Sequence, residues 1–191
     1  MQKRQRMQEK QGPFSIQVIT FTAMLTALQI VLGNLLQIPL LGKQYSLWLL
    51  PVMTAGALMG PIPAAIVGAL GDLIGAHLFP AGAYFPGFTL TNALAGLACG
   101  FVLHKWQPRI IRVSVAVAAS LLIAWLLNSC WLTLLGFVPG RSFWVWVTVR
   151  SVSYPVELVI NSGLGYLVLM LLTKANHVLP AGMRLVNRRG N

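Results

Sequence analysis

Three ionisable residues lie inside long apolar stretches of this 191-residue chain, at Asp72, Arg150 and Glu157. Such a group at membrane depth costs at least about 2.5 kcal/mol, so each is expected to face the interior of a helix bundle and to find partners. Arg150, Tyr154, Glu157 and Asn161 are spaced i, i+4, i+7 and i+11, which places them on one helical stripe. Two interpretations stay open. Arg150 and a carboxylate are the cation and anion of a binding site, or Arg150 pairs with Asp72 or Glu157 and holds helices together.

The stretch from Gly71 to Asn92, GDLIGAHLFPAGAYFPGFTLTN, is the least ordinary part of the chain. A helical pattern with an aspartate between small residues breaks into a segment rich in proline, glycine and aromatic residues. Its aromatic and polar side chains suit a flat ligand with hydrogen-bonding edges; they are Phe79, Tyr84, Phe85, Phe88, Thr89, Thr91 and Asn92. The aromatic residues fit a belt at a membrane interface equally well.

Several catalytic motifs do not occur in the sequence. It has no GxxxxGK[ST] loop, so the chain is not expected to power transport by hydrolysing ATP itself. It has no GxSxG motif, no HExxH and no clustered metal ligands, so neither a hydrolytic enzyme nor a metal site is expected. The sequence therefore predicts a protein that is not an enzyme.

The composition is that of an integral membrane protein, with 57% apolar and 9% charged residues, against roughly 25% charged residues in soluble domains. A chain of this length can hold about six spans of roughly 20 residues in one bundle. The net charge is +11. Basic residues collect in cytoplasmic loops of membrane proteins, so topology explains this excess better than a nucleic-acid partner.

The predicted fold is an all-α bundle of six transmembrane helices over residues 14–173, between basic cytoplasmic tails at 1–13 and 174–191. The predicted spans are 14–36, 45–59, 64–79, 88–103, 113–135 and 142–172. With both termini in the cytoplasm, eleven basic residues lie inside and only Lys43 and Arg141 lie outside, as the positive-inside rule favours. This orientation puts the loop after span 3, and with it the candidate ligand pocket, on the extracellular side.

Two segments carry a family resemblance: GDLIGAHLFPAGAYFPGFTLTNALAGLACGF in the middle and RSVSYPVELVINSGLGYLVL near the end. Together with the six-span plan and the Ala23-xxx-Ala27 pair of span 1, they resemble the S components of energy-coupling factor transporters, most of all the folate-specific members. The resemblance implies a protein of a prokaryotic cell membrane that captures a vitamin at its outer face. Its implied partners are a transmembrane coupling subunit and two ATP-binding subunits. Only these subunits use ATP, so no cofactor is expected on this chain.

The resemblance also implies roles for individual residues. Ala23 and Ala27 match the family's docking surface for the coupling subunit. For a folate, Glu157 or Asp72 is expected to accept hydrogen bonds from the pterin edge, and Arg150 to bind a carboxylate or a ring oxygen. The remaining expected substrate-binding residues are the stacking rings of Phe79, Tyr84 and Phe88 and the polar side chains of Thr89, Asn92 and Tyr154. An alternative role for Asp72 is to brace the loop that follows span 3.

Other functions stay open at this point. The chain could be an S component for another small vitamin or precursor, such as pantothenate or a queuosine precursor. It could also be a structural subunit of a membrane complex, whose polar stripe only joins helices. A membrane enzyme is the third class, and it would have to form a product from its ligand without any partner.

Overall fold

The computed structural model describes residues 15–40, 43–80, 84–136, 143–180, 183 and 185. Six helices follow one another along these residues: α1 (Ile16–Ile30), α2 (Leu49–Met59), α3 (Pro61–Leu78), α4 (Pro86–Leu103), α5 (Ile110–Leu134) and α6 (Phe143–Lys174). A short antiparallel hairpin of β1 (Gln37–Leu40) and β2 (Lys43–Ser46) lies between α1 and α2. The described part of the chain is thus predominantly helical, as predicted, with one hairpin that the sequence did not predict.

Five helical segments are long and apolar enough to cross a membrane, within the ranges that the structure describes. They are Ile16–Leu35, which includes a π-helical turn after α1, then α3, α4, α5 and Ser151–Lys174 of α6. The exception is α2, whose 11 residues extend only about 16 Å at 1.5 Å per residue, against a hydrocarbon core of roughly 30 Å. The chain is therefore a multi-pass membrane protein, and its second predicted span is a short helix.

α2 lies at the centre of the bundle. Every residue from Leu49 to Leu58 is buried, and the helix packs against α1, α3, α4 and α6. Protein rather than lipid surrounds it, so its length need not match the bilayer. The predicted start of this helix at Tyr45 is wrong, because Tyr45 pairs with Ile38 in the hairpin and the helix begins at Leu49. Strand pairing satisfies backbone groups that an unpaired buried loop would leave without partners.

The connection from α2 to α3 is a tight turn at Gly60. Its φ of 98° is a conformation that glycine adopts without steric penalty. Pro61 then begins α3 in the first turn, where a missing backbone N–H does no harm. Gly100 of α4 lies directly against this turn, because a β carbon at Gly100 would collide with Pro61. The backbones of α3 and α4 therefore meet closely at this end of the bundle.

The chain after α6 folds back onto the core. Asn176 Nδ2 donates to the Leu185 carbonyl at 2.6 Å, and the Leu185 N–H donates to Asn176 Oδ1 at 2.8 Å. Leu179, Met183 and Leu185 are buried in the same cluster as the helices. The rest of the predicted C-terminal tail, at 181, 182, 184 and 186–191, lies outside the described residues, as does the whole N-terminal tail at 1–13.

Candidate ligand-binding site

Asp72 ties α3 to the start of α4 through two short hydrogen bonds. Its half-buried carboxylate accepts from Thr89 Oγ1 at Oδ2 and from Asn92 Nδ2 at Oδ1, each at 2.7 Å. A hydrogen bond to a charged group contributes about 1.5–3 kcal/mol, roughly twice a neutral one. Three of the predicted site residues are thus brought together, and they hold the two helices on either side of the loop.

Tyr84 extends this network into the loop. Its hydroxyl lies 2.9 Å from Thr89 Oγ1. A threonine hydroxyl has a single proton, which Thr89 donates to Asp72, so Tyr84 donates to Thr89. The Tyr84 ring also packs against His77 of α3, with ring centroids 5.0 Å apart. The end of the loop is therefore fixed to α3 by both a polar and an aromatic contact.

An aromatic cluster lies beside this network. Phe85 packs edge-on against Phe88 and against Trp131 of α5, with ring centroids 6.0 and 5.5 Å apart. Trp131 Nε1 donates to Thr91 Oγ1 at 3.1 Å, across forty positions of sequence. Trp131 was missed as a candidate site residue, because its sequence signal is only that of a tryptophan near the end of an apolar span. The cluster joins α4, α5 and the loop.

Phe79 stands at the end of α3. Its backbone N–H donates to the Gly75 carbonyl at 2.8 Å and closes the last turn, while its side chain is 38% exposed. An exposed ring at a helix end can line a pocket or settle among lipid headgroups. The position of Phe79 is therefore compatible with both predicted roles, in a ligand pocket and in an aromatic belt at the membrane interface.

The predicted polar stripe of α6 turns toward neighbouring helices. The Tyr154 hydroxyl donates to the Ala118 carbonyl of α5 at 2.8 Å, so Tyr154 joins these two helices. Asn161 is buried, and its Nδ2 donates to the Glu157 backbone carbonyl at 2.9 Å. Glu157 itself is half-buried. The backbone of Arg150 is helical, but its side chain lies outside what the structure describes.

The two membrane carboxylates lie at different depths. α3, α4, α5 and α6 run alternately up and down, so the end of α3 and the start of α6 are at the same end of the bundle. Asp72 is six residues from the end of α3 at Leu78, about 9 Å, whereas Glu157 is fourteen residues from the start of α6 at Phe143, about 21 Å. The two alternatives for the pterin edge therefore place the ring at different heights.

Two asparagine side chains present buried oxygen atoms in the bundle. Asn128 Oδ1 of α5 and Asn161 Oδ1 of α6 have no hydrogen-bond partner among the described residues. A buried polar atom left in this state costs about 1–3 kcal/mol, and such atoms usually have a water or ligand partner. Asn128 was not predicted as a site residue, because a single amide in an apolar helix is a weak signal. Both amides are candidates for ligand contact.

A separate apolar groove of about 400 Å3 lies between α1 and α3. Ala23 and Ala27, the predicted docking pair, are exposed and line it together with Ile66, Leu70 and Ile74 of α3. The small side chains of the two alanines leave the groove open. The docking candidates and the ligand candidates thus occupy different surfaces, and α3 contributes to both.

The chain is similar to known transporters over most of its length. A family model described as "ECF-type riboflavin transporter, S component" matches residues 13–176. The folate transporter FolT of Clostridium novyi (strain NT) is 29% identical over 150 residues, which cover 78% of this chain and 87% of that protein. The folate transporter FolT of Leuconostoc mesenteroides subsp. mesenteroides is 32% identical over 151 residues, which cover 77% of this chain and 81% of that protein.

A solved structure is also similar to this chain. It is the crystal structure of FolT bound with folic acid, with a TM-score of 0.68 and 28% identity. The match covers 80% of this chain and 92% of that chain. The similarity therefore extends over the helical bundle rather than over one motif.

Proposed function

The chain belongs to the family of ECF-type riboflavin transporter S components, and from this premise we propose that it is the folate-binding S component of an energy-coupling factor importer. The main support for folate as the ligand is the match to the structure of FolT bound with folic acid, over 92% of that chain. Both relatives are also named folate transporters. Members of this family are transporter components rather than enzymes. Riboflavin, in the name of the family model, is the competing ligand.

The donor edge of the pterin is assigned to Glu157. A carboxylate can accept two parallel hydrogen bonds from such an edge, and Glu157 is half-buried on α6. Asp72 accepts hydrogen bonds from Thr89 and Asn92 at the start of α4, and because these join the helices on either side of the loop, Asp72 is assigned to bracing the loop. The pterin accordingly lies deep in the bundle, inward of the loop.

The outer part of the ligand is assigned to Arg150 and the loop. Arg150 lies seven residues before Glu157 on α6, about 10 Å nearer the loop at 1.5 Å per residue. This separation suits a folate whose pterin lies at Glu157 and whose glutamate carboxylates lie nearer the outer end. The aromatic rings of Phe79, Tyr84 and Phe88 are assigned to stacking against the ligand where it passes the loop.

The loop after α3 is assigned to the outer face of a prokaryotic cell membrane, with both termini in the cytoplasm. The support is the distribution of charge: the turn between α4 and α5 carries Lys105, Arg109 and Arg112, whereas no Lys or Arg occurs between positions 44 and 104. Cytoplasmic turns collect such residues. Ligand capture therefore occurs at the outer face.

The groove between α1 and α3 is assigned to a transmembrane coupling subunit, which links the chain to two ATP-binding subunits. Ala23 and Ala27 are exposed in this groove, and small residues let another helix approach closely within a bilayer. These partners hydrolyse the ATP, and the chain itself needs only the bilayer and its vitamin.

Ligand titration of the purified full-length chain tests the proposed function. Trp131 and Trp125 lie among the candidate site residues, so tryptophan fluorescence should report binding. Folic acid and 5-formyltetrahydrofolate are compared with riboflavin and pantothenate. Saturable quenching by a folate alone is the expected result. A saturable response to riboflavin with none to either folate overturns the assignment.

The variant Glu157→Gln tests the site. It keeps the shape of the side chain but replaces an acceptor oxygen by an amide, and it removes charge-assisted hydrogen bonds of about 1.5–3 kcal/mol, or roughly 10- to 150-fold in Kd. A folded variant with weakened folate binding supports the ligand role. If the variant instead unfolds, and the fraction that stays folded binds folate as tightly as wild type, the purely structural alternative is supported.

A further inference from the structure

The turn that joins α4 to α5 concentrates positive charge. Lys105, Arg109 and Arg112 lie within eight positions, and Lys105 and Arg109 are exposed. No Asp or Glu occurs between positions 73 and 156 of the sequence. Asp72 lies toward the other end of α3, where it is bonded to Thr89. The neighbouring stretch of sequence therefore supplies no counter-charge for this turn.

An aromatic ring sits within this group of cations. The guanidinium carbon of Arg112 lies 4.4 Å from the ring centroid of Trp106, a cation–π contact that holds both side chains in place. Trp106 is nevertheless 56% exposed, and Ile111 in the first turn of α5 is 74% exposed. Tryptophan settles at the level of lipid headgroups, and an exposed isoleucine beside it suits acyl chains. Cationic and apolar side chains thus meet at one corner of the bundle.

The backbone at Lys105 is unusual. Its φ of 61° is the only positive value outside glycine within the described part of the chain. Lys105 follows His104, the last capping residue of α4, at a position where helices usually have glycine because other residues pay a steric cost. The lysine places a positive charge at this corner, which the usual glycine would not provide. The local geometry favours a role for that charge.

We propose that this corner, formed by Lys105, Trp106, Arg109, Ile111 and Arg112, binds an anionic glycerophospholipid. Lys105 and Arg109 contact the headgroup phosphate, while Arg112 and Trp106 form a rigid platform beside it. The first turn of α5 contacts the acyl chains through Ile111. Basic pockets beside membrane helices are known to bind acidic headgroups. This site is distinct from the folate site and does not depend on it.

Lipid binding to the purified full-length chain in detergent tests this proposal. Dioleoylphosphatidylglycerol is compared with dioleoylphosphatidylcholine, and bound lipids are counted by native mass spectrometry. Free sn-glycerol 3-phosphate serves as a third probe, because it has the phosphate without acyl chains. We expect preferential binding of phosphatidylglycerol that weakens at high salt, and no comparable binding of glycerol 3-phosphate.

Three variants locate the site. Lys105→Gly and Arg109→Gln should each weaken phosphatidylglycerol binding about fivefold, the effect of one cation near a headgroup. Lys105→Gly should also raise the melting temperature in lipid-free detergent, because glycine adopts the left-handed conformation freely, so a loss of binding in this variant cannot come from unfolding. Lys174→Gln removes an exposed cation from the last turn of α6 and should leave lipid binding unchanged.

Equal binding of the two phospholipids overturns the proposal, and so does an equal loss of phosphatidylglycerol affinity in Lys105→Gly and Lys174→Gln. Binding of glycerol 3-phosphate as tight as that of the lipid also overturns it, in favour of a soluble phosphate ligand. Variants that lose association with partner subunits while their lipid binding stays unchanged would assign the corner to protein docking instead.

Discussion

The hydrogen bond from Thr89 to Asp72 can be removed to measure how much the loop between α3 and α4 contributes to ligand affinity. Thr89→Val keeps the shape of the side chain and removes its hydroxyl. It therefore removes both the 2.7 Å bond to Asp72 and the 2.9 Å bond from Tyr84. The carboxylate keeps its second partner, Asn92, at 2.7 Å, which limits the disturbance to the Thr89 side of the network.

The expected magnitude follows from the charge on the acceptor. A hydrogen bond to a carboxylate contributes about 1.5–3 kcal/mol, so its loss should raise the Kd for folic acid roughly 10- to 150-fold if the loop must be ordered for binding. Tyr84→Phe removes only the neutral outer bond, of about 0.5–1.5 kcal/mol, and should raise the Kd roughly 2- to 13-fold. Combined with Thr89→Val it should add little, because Thr89→Val already removes that bond.

The assay is a titration of the purified full-length variants with folic acid, with the melting temperature measured alongside. Thr133→Val is the control, because the Thr133 hydroxyl bonds only to the Ser129 carbonyl one turn earlier in α5, at 2.9 Å. The control should bind folic acid within about twofold of wild type. An unchanged Kd for folic acid in Thr89→Val would refute the link between this network and binding. If the melting temperature falls while the Kd stays unchanged, the hydrogen bond only stabilises the fold.

The remaining predictions concern packing, docking and pH. Gly96→Ala should lower the free energy of unfolding by about 1–3 kcal/mol, because its methyl group would collide with the backbone of Ala64 in α3. Gly163→Ala, whose methyl group meets no atom within 4 Å, should raise it by up to about 1 kcal/mol; unfolding in detergent compares the two, and equal effects would contradict the packing argument. Ala27→Leu should project a larger side chain into the groove and abolish copurification with the coupling subunit, while the Kd for folic acid stays within about twofold; an intact complex would refute the docking assignment. Burial, and secondly the charge of Lys105, hold the pKa of His104 below its ordinary 6.5. Stability present at neutral pH is therefore lost as the pH falls below 6.5, where the unfolded chain takes up the proton first. His104→Gln should therefore reduce the fall in melting temperature between pH 6.5 and about pH 5, and an unchanged pH profile would contradict this reasoning.

Part of the fold followed directly from the pattern of apolar residues. The predicted start of α4 was two residues late and its predicted end was correct, because Pro86 and the charged turn after Leu103 mark the two ends of the helix. The hairpin and the late start of α2 were missed. Tyr45 leads into the apolar run Leu47–Leu50 with no proline or glycine between them, so the sequence favours a longer helix, and only pairing with β1 shows that Tyr45 lies in a strand.

The candidate site was predicted unevenly for the same reason. Asp72 stood out because a carboxylate is rare in an apolar helix, and Thr89 because it follows the loop directly, but the spacing could not show that they bond to each other. Trp131 had no distinguishing signal, since its contact with Phe85 joins segments far apart in the chain. Tyr154 lay on the predicted stripe, yet its partner is a backbone carbonyl, which no sequence pattern reveals.

The sequence by itself determined that this is a helical membrane protein and which family it resembles, because apolar length, charge distribution and local motifs are properties of consecutive residues. Only the tertiary structure decided that α2 is a buried central helix, that both Asp72 oxygens accept hydrogen bonds and that Ala23 and Ala27 line an open groove. Each of these depends on which helices become neighbours. That choice follows from packing across the whole bundle, and residues distant in the chain determine it together.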